Sequence, residues 1–114
     1  MPAGRYNFDC EQGQTFQRVL TLKQEGVPLN LTGYSAKMQV RKDFNSSTTI
    51  IELSTANGRI LLGGSLGTVT LTLTATETFG IARSGIYDLE IVSPSNVESR
   101  VIEGEFRLHP GVTR

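Results

Sequence analysis

The residues of this chain that could do chemistry are few and scattered. His109 is its only histidine and Cys10 its only cysteine. A Ser-His-Asp or Cys-His arrangement, or a multi-histidine metal cluster, needs convergent partners that two such isolated groups do not have. His109 stands beside Pro110 and reads as a solvated tail residue, and Cys10 reads as a small apolar side chain on a strand face. Asp88 and Glu90, like Glu103 and Glu105, are two residues apart. On a strand this puts the carboxylates of each pair on one face, roughly 6.6 Å apart, a spacing that a glycosidase acid and base could use. Outward charges on strands more often keep a protein soluble and protect its edges, and that is the reading adopted. Gly63-Gly-Ser-Leu-Gly-Thr68 has the glycines of a phosphate-cradling loop but no lysine, and a strand pattern follows it. With no helix N-terminus to receive an anion, it is a turn. No catalytic group, metal or cofactor is predicted.

Period-two runs must position whatever sites exist. The clearest is Tyr34 to Arg41, where Tyr34, Ala36, Met38 and Val40 alternate with Ser35, Lys37, Gln39 and Arg41. Strict alternation over eight residues excludes an amphipathic helix. Val69, Leu71 and Leu73 alternate with threonines, and Tyr87, Leu89 and Ile91 with Asp88 and Glu90; both runs predict half-buried strands. Further strands are predicted at Arg5–Cys10, Thr15–Lys23 (with Arg18 at a sheet margin), Ile50–Ser54, Arg59–Leu62 and Glu98–Leu108. Glu25-Gly-Val-Pro28 predicts a tight reversal, the next strand beginning after Pro28. Ala56-Asn-Gly58 predicts a type I′ hairpin pairing the strands on either side. Ala75–Ala82 suits one helical turn capped by Thr74 or Thr76. Asp43–Thr49 is polar enough to project as a loop. Phe44 within it either folds back onto the core, the commoner outcome, or waits for a partner.

The 114 residues carry 11 basic and 11 acidic side chains, so no overall field draws the chain to nucleic acid or to an anionic membrane. Lys37, Arg41 and Lys42 lack interleaved aromatics and do not make a nucleic-acid groove. Protein partners are the expectation. A lone cysteine excludes an internal disulfide and fits folding in a reducing cytosol. The first residues lack the apolar core of a secretion signal, and no apolar run approaches the ~18 residues of a membrane span. Regular short strands with brief turns predict one two-sheet sandwich over residues 1–114.

The order of motifs adds a resemblance. Gly26-Val-Pro28, Leu31-Thr-Gly-Tyr34 with Ala36 to Arg41, Gly67-Thr-Val-Thr-Leu71 and Ser84-Gly-Ile-Tyr87 through Ile91 together resemble the immunoglobulin-like domain of tailed-phage virion proteins, in particular the N-terminal domain of phage baseplate upper proteins. The resemblance runs over nearly the whole chain. It implies an all-β, immunoglobulin-like antiparallel β-sandwich of about seven to nine strands, and a virion structural protein of tail or baseplate, made in the host cytoplasm, that attaches other virion proteins. It brings no catalytic residues. The baseplate upper proteins continue past this domain into segments that carry the receptor-binding protein. Here the sequence stops at Arg114, and a small stand-alone component is expected, present in many copies as a homo-oligomer. A capsid decoration protein stabilising the head is one alternative, and a carbohydrate-binding module using the acidic strand faces is another. Exposure reasoning selects Tyr6, Phe8, Phe44 and Pro110 as contact residues, with the first strand (5–10) and the tail (109–114) available for docking onto a neighbour.

Overall fold

The computed structural model describes residues 4–111. In chain order the strands are β1 (Gly4–Arg5), β2 (Phe8–Glu11), β3 (Phe16–Thr21), β4 (Lys23–Gln24), β5 (Val27–Pro28), β6 (Ser35–Arg41), β7 (Ile51–Ser54), β8 (Ile60–Leu62), β9 (Thr68–Leu73), β10 (Gly85–Val92) and β11 (Glu98–His109), with one short helix α1 (Ala75–Phe79) between β9 and β10. The larger sheet runs β11-β10-β6-β7, with β1 and β2 sharing the outer edge of β11; the smaller sheet runs β3-β9-β8. There are more segments than expected because the first strand is split at Tyr6 and Asn7, and because β4 and β5 form a separate two-residue ribbon.

The predicted alternation sets the two inner faces. Ala36, Met38 and Val40 of β6, Val69, Leu71 and Leu73 of β9, and Tyr87, Leu89 and Ile91 of β10 are all buried, as period-two strands with one wet face require. At one end of the sandwich the filling is aromatic. The Phe8 ring lies 5.9 Å from Phe16 of the smaller sheet and 5.0 Å from Tyr87 of the larger, and Phe16 lies 5.6 Å from Phe106. Arg18 sits at the sheet margin, as predicted. Its guanidinium stacks 4.6 Å over Phe16 and donates to the Asp9 carbonyl, tying β3 to β2.

Helix α1 forms where its cap is predicted. The Thr74 hydroxyl accepts from Glu77 N–H while the Glu77 carboxylate accepts from Thr74 N–H, a reciprocal capping box. That backbone bond, with the Arg59 guanidinium beside it, holds the Glu77 carboxyl below its ordinary range. Thr78, fully buried, donates to the Gln14 carbonyl and accepts from Gly13 N–H, so the helix anchors the β2–β3 turn.

Three expectations are corrected. The first strand is not antiparallel to its neighbour: β1 and β2 both run parallel to β11, Gly4 opposite Ile102 and Phe8 opposite Phe106. This register drops Phe8 and Cys10 into the core. Between the two segments the backbone lies against Gly104, where a Cβ would come within 2.1 Å of the Tyr6 carbonyl oxygen. Tyr87 donates its hydroxyl to that same carbonyl, and the Asn7 side-chain oxygen accepts from Glu105 N–H at 2.9 Å, replacing a ladder bond. Second, β7 and β8 do not form a hairpin. Each pairs into a different sheet, β7 with β6 and β8 with β9. Gly58 alone of the predicted turn pair has positive φ. Asn57 instead uses its carboxamide oxygen to accept from Ser54 and Arg59 N–H, which turns the chain from one sheet to the other. Third, Pro28 lies within β5, opposite Lys23, and the reversal before it uses positive φ at Glu25 and Gly26.

Two outcomes follow. Gly104→Ala drives a methyl into the Tyr6 backbone and should destabilise by about 1–3 kcal/mol, and Phe8→Ala by about 3–5 kcal/mol, both read from urea unfolding. Because Glu77 is depressed from its ordinary 4.5, its stabilising contribution is complete above that pH and is lost as the pH falls through the folded-state value. Glu77→Gln should therefore be less stable at neutral pH and lose less on acidification than the parent.

Candidate functional site

The outward positions of β6, β10 and β11 make a continuous charged face. Pairing register sets it in rows: Lys37 beside Glu90 and Arg100, Gln39 beside Asp88 and Glu103, Arg41 beside Ile86 and Glu105. Arg5 of β1 stands opposite Glu103 at the outer edge. Asp88 and Glu103 are direct cross-strand neighbours, so like charges meet with Cβ atoms about 5 Å apart. Arg100 relieves this by pairing with Asp88 at 3.2 Å. Further along β11 Arg107 pairs with Glu105 at 2.8 Å, which raises the guanidinium pKa. These pairs are about half exposed, and pairs of that kind add little stability.

The loop after β6 hangs over this face. Asp43 accepts from Asn45 N–H through its side chain and from Ser46 N–H through its carbonyl. Arg41 then braces the loop from below, one guanidinium nitrogen donating to the Ser46 carbonyl at 3.0 Å and the other to the Gln39 side chain at 2.9 Å. Phe44 is left projecting, 87% exposed, at the rim of two shallow adjoining clefts of 260 Å³ and 180 Å³. Ile86 and Asp88 line both, Glu90 lines the first and Glu103 and Glu105 the second. The expected folding back of Phe44 does not occur: the ring sits within the turn that Asp43 closes through its carbonyl and side chain and that Arg41 braces, and it points into solvent.

The exposure reasoning is corrected at Phe8, which is 1% exposed and belongs to the core. Tyr6, 51% exposed, stacks edge-on against Phe8 at 5.1 Å and lies at the outer edge of the larger sheet. Pro110 is exposed just beyond β11. The last tail residues, 112–114, lie outside the described residues, as do 1–3 at the start of the chain. His109 is not an unattached tail residue but ends β11, its ring bonded to Asp9 at 2.9 Å, which lowers the Asp9 pKa. Cys10 is buried, and burial pushes its thiol up to about 11, as suits a packing residue. Among the described residues no three His, Cys, Asp or Glu side chains are grouped to hold a metal ion. The pairing of Asp88 with Glu103 is not legible in the sequence because it depends on strand register, and the brace supplied by Arg41 depends on how the loop turns back over β6.

The two-sheet architecture matches solved structures. The chain has an immunoglobulin-like fold. Over 96% of its length it superposes on 56% of a chain from the crystal structure of ICOS in complex with ICOS-L and an anti ICOS-L VNAR domain, with a TM-score of 0.52 and 16% identity. This chain thus spans about half the length of that one, and at such identity the likeness concerns the fold. No family model matches the sequence, and no curated protein matches it.

The brace is testable. Arg41→Ala removes a charge-assisted bond with a net contribution of at most about 1.5–3 kcal/mol, so amide exchange at Ser46 and its loop neighbours should quicken while the β6 amides keep their protection.

Proposed function

We propose that this immunoglobulin-like domain is a structural protein of a tailed-phage virion, a tail or baseplate component that attaches other virion proteins in a repeated assembly, and that it binds through the charged outer face beneath Phe44. One observation carries the reading: an aromatic ring held almost fully in solvent by a braced loop, beside a half-exposed Ile86 and ringed by charged residues. Protein interfaces concentrate binding energy in such aromatic anchors with a polar surround. The motif order that resembles the baseplate upper proteins supports the virion setting, and one solved structure with this fold is of a protein–protein complex. Binding without catalysis suits the site, where Asp88 and Glu105 are each engaged by an arginine. A head location, as a decoration protein, would use the same surface.

A second reading rests on the cleft chemistry. An aromatic ring above Gln39, Asp88 and Glu90 also offers a sugar one stacking face and several hydroxyl partners, so a carbohydrate-binding module is retained as the alternative.

Phe44→Ser should leave the melting temperature within about 2 °C, since an exposed side chain contributes within about 0.5 kcal/mol, and should prevent incorporation of the labelled protein into particles assembled in infected cells. Normal incorporation of the variant would overturn the role of this face. Label over the head in particle images would move the protein to the capsid, and saturable glycan-array binding lost in the same variant would favour the sugar reading.

A further inference from the structure

The two outer faces of the sandwich differ in kind. The larger sheet presents the charged rows already described. The outward positions of the smaller sheet are Gln17, Val19 and Thr21 on β3, Thr68, Thr70 and Thr72 on β9, and Leu61 on β8, and none of them carries a charge. Arg59, just before β8, is engaged by Glu77 at the end of this face. Val19 and Leu61 are 61% and 63% exposed. Register places both directly opposite Thr70, one on each side. The three side chains form a straight row across the sheet, apolar at both ends and methyl-bearing in the middle.

We propose that this face docks against the same face of a second copy of the chain. The inference rests on the reading of the chain as one of many copies in an assembly, and names the copy-to-copy contact. Two observations select the occupant. Burying this face against the charged face of a neighbour would strip water from carboxylates and guanidinium groups that Val19, Thr70 and Leu61 cannot satisfy; against its own kind the row of Val19, Thr70 and Leu61 desolvates no charge, and Arg59 at the end of the face is already paired with Glu77. The row is also self-complementary. A two-fold axis lying in the interface along β9 sets Val19 over the partner's Leu61 and Thr70 over the partner's Thr70, and an axis across the strands sets like over like. Either gives the isologous contact that closes a pair, within the aligned packing that two twisted sheets prefer.

The size of the face sets the strength. Two strands of six residues and one of three cover about 250 Å² per copy at the usual strand spacing and rise, against about 800 Å² per partner in a stable complex. The contact is therefore weak in free solution and becomes effective when the copies are held near one another, where linkage raises the effective concentration.

The test is methyl NMR on the intact chain up to about 1 mM, the concentration at which a contact of about 4 kcal/mol is about half formed. Concentration-dependent shifts at Val19, Thr70 and Leu61 are expected, and Val19→Glu with Leu61→Glu should weaken self-association at least ten-fold with the fold intact. Should that double variant unfold, Thr70→Lys alone serves, since its side chain also points outward. Absence of concentration dependence, shifts centred on Phe44, or self-association that survives these charges would overturn the proposal. Phe44→Ser leaves this self-association unchanged if the contact is as described, so a failure of the Phe44 surface and a failure of this one are read separately.

Discussion

Phe8 is the side chain on which the two sheets depend. The chain has one cysteine and no tryptophan, so neither a disulfide nor a large indole can pin one sheet to the other. The ring of Phe8 takes that position, in contact with Phe16 on one side and Tyr87 on the other. Its placement requires the N-terminal segment to lie parallel along β11, and this in turn requires a residue without a side chain where the segments β1 and β2 meet. Gly104 meets that condition, and Tyr87 closes the crossing by bonding the Tyr6 carbonyl. A segment that exposure reasoning assigns to a neighbouring molecule is thus an integral part of the core.

With the sheets closed in this way, the two outer faces are free to diverge. Charges cluster on the larger one, where Asp88 and Glu103 are brought together and then balanced by Arg100 and Arg5. The smaller face carries threonines and two apolar side chains. A net charge of zero conceals this division, because composition averages over surfaces that point in opposite directions. Two chemically distinct faces allow two distinct contacts without competition between them.

Loops carry the remaining specificity through side chains that bond to backbone. Asp43 and Arg41 close the loop that presents Phe44, and Asn57 closes the bend that carries the chain from the larger sheet to the smaller. In each case a polar side chain satisfies backbone groups that have left the ladder, which lets the chain leave a sheet without stranding donors or acceptors.

The sequence by itself determined the all-β class, the inward residues of β6, β9 and β10, the capped turn of α1 and the projection of the Asp43–Thr49 loop. These follow from period-two alternation, capping and local hydrogen bonding, which act within a few residues. Only the tertiary structure decided that Phe8 is core and not contact, that β7 and β8 lie in different sheets in spite of an Asn-Gly signal, and that Asp88 faces Glu103 more closely than it does Glu90. Each of these is a matter of which strand lies beside which. Pairing partners are chosen by packing between residues far apart in the chain, and a local pattern of alternation is compatible with many such choices.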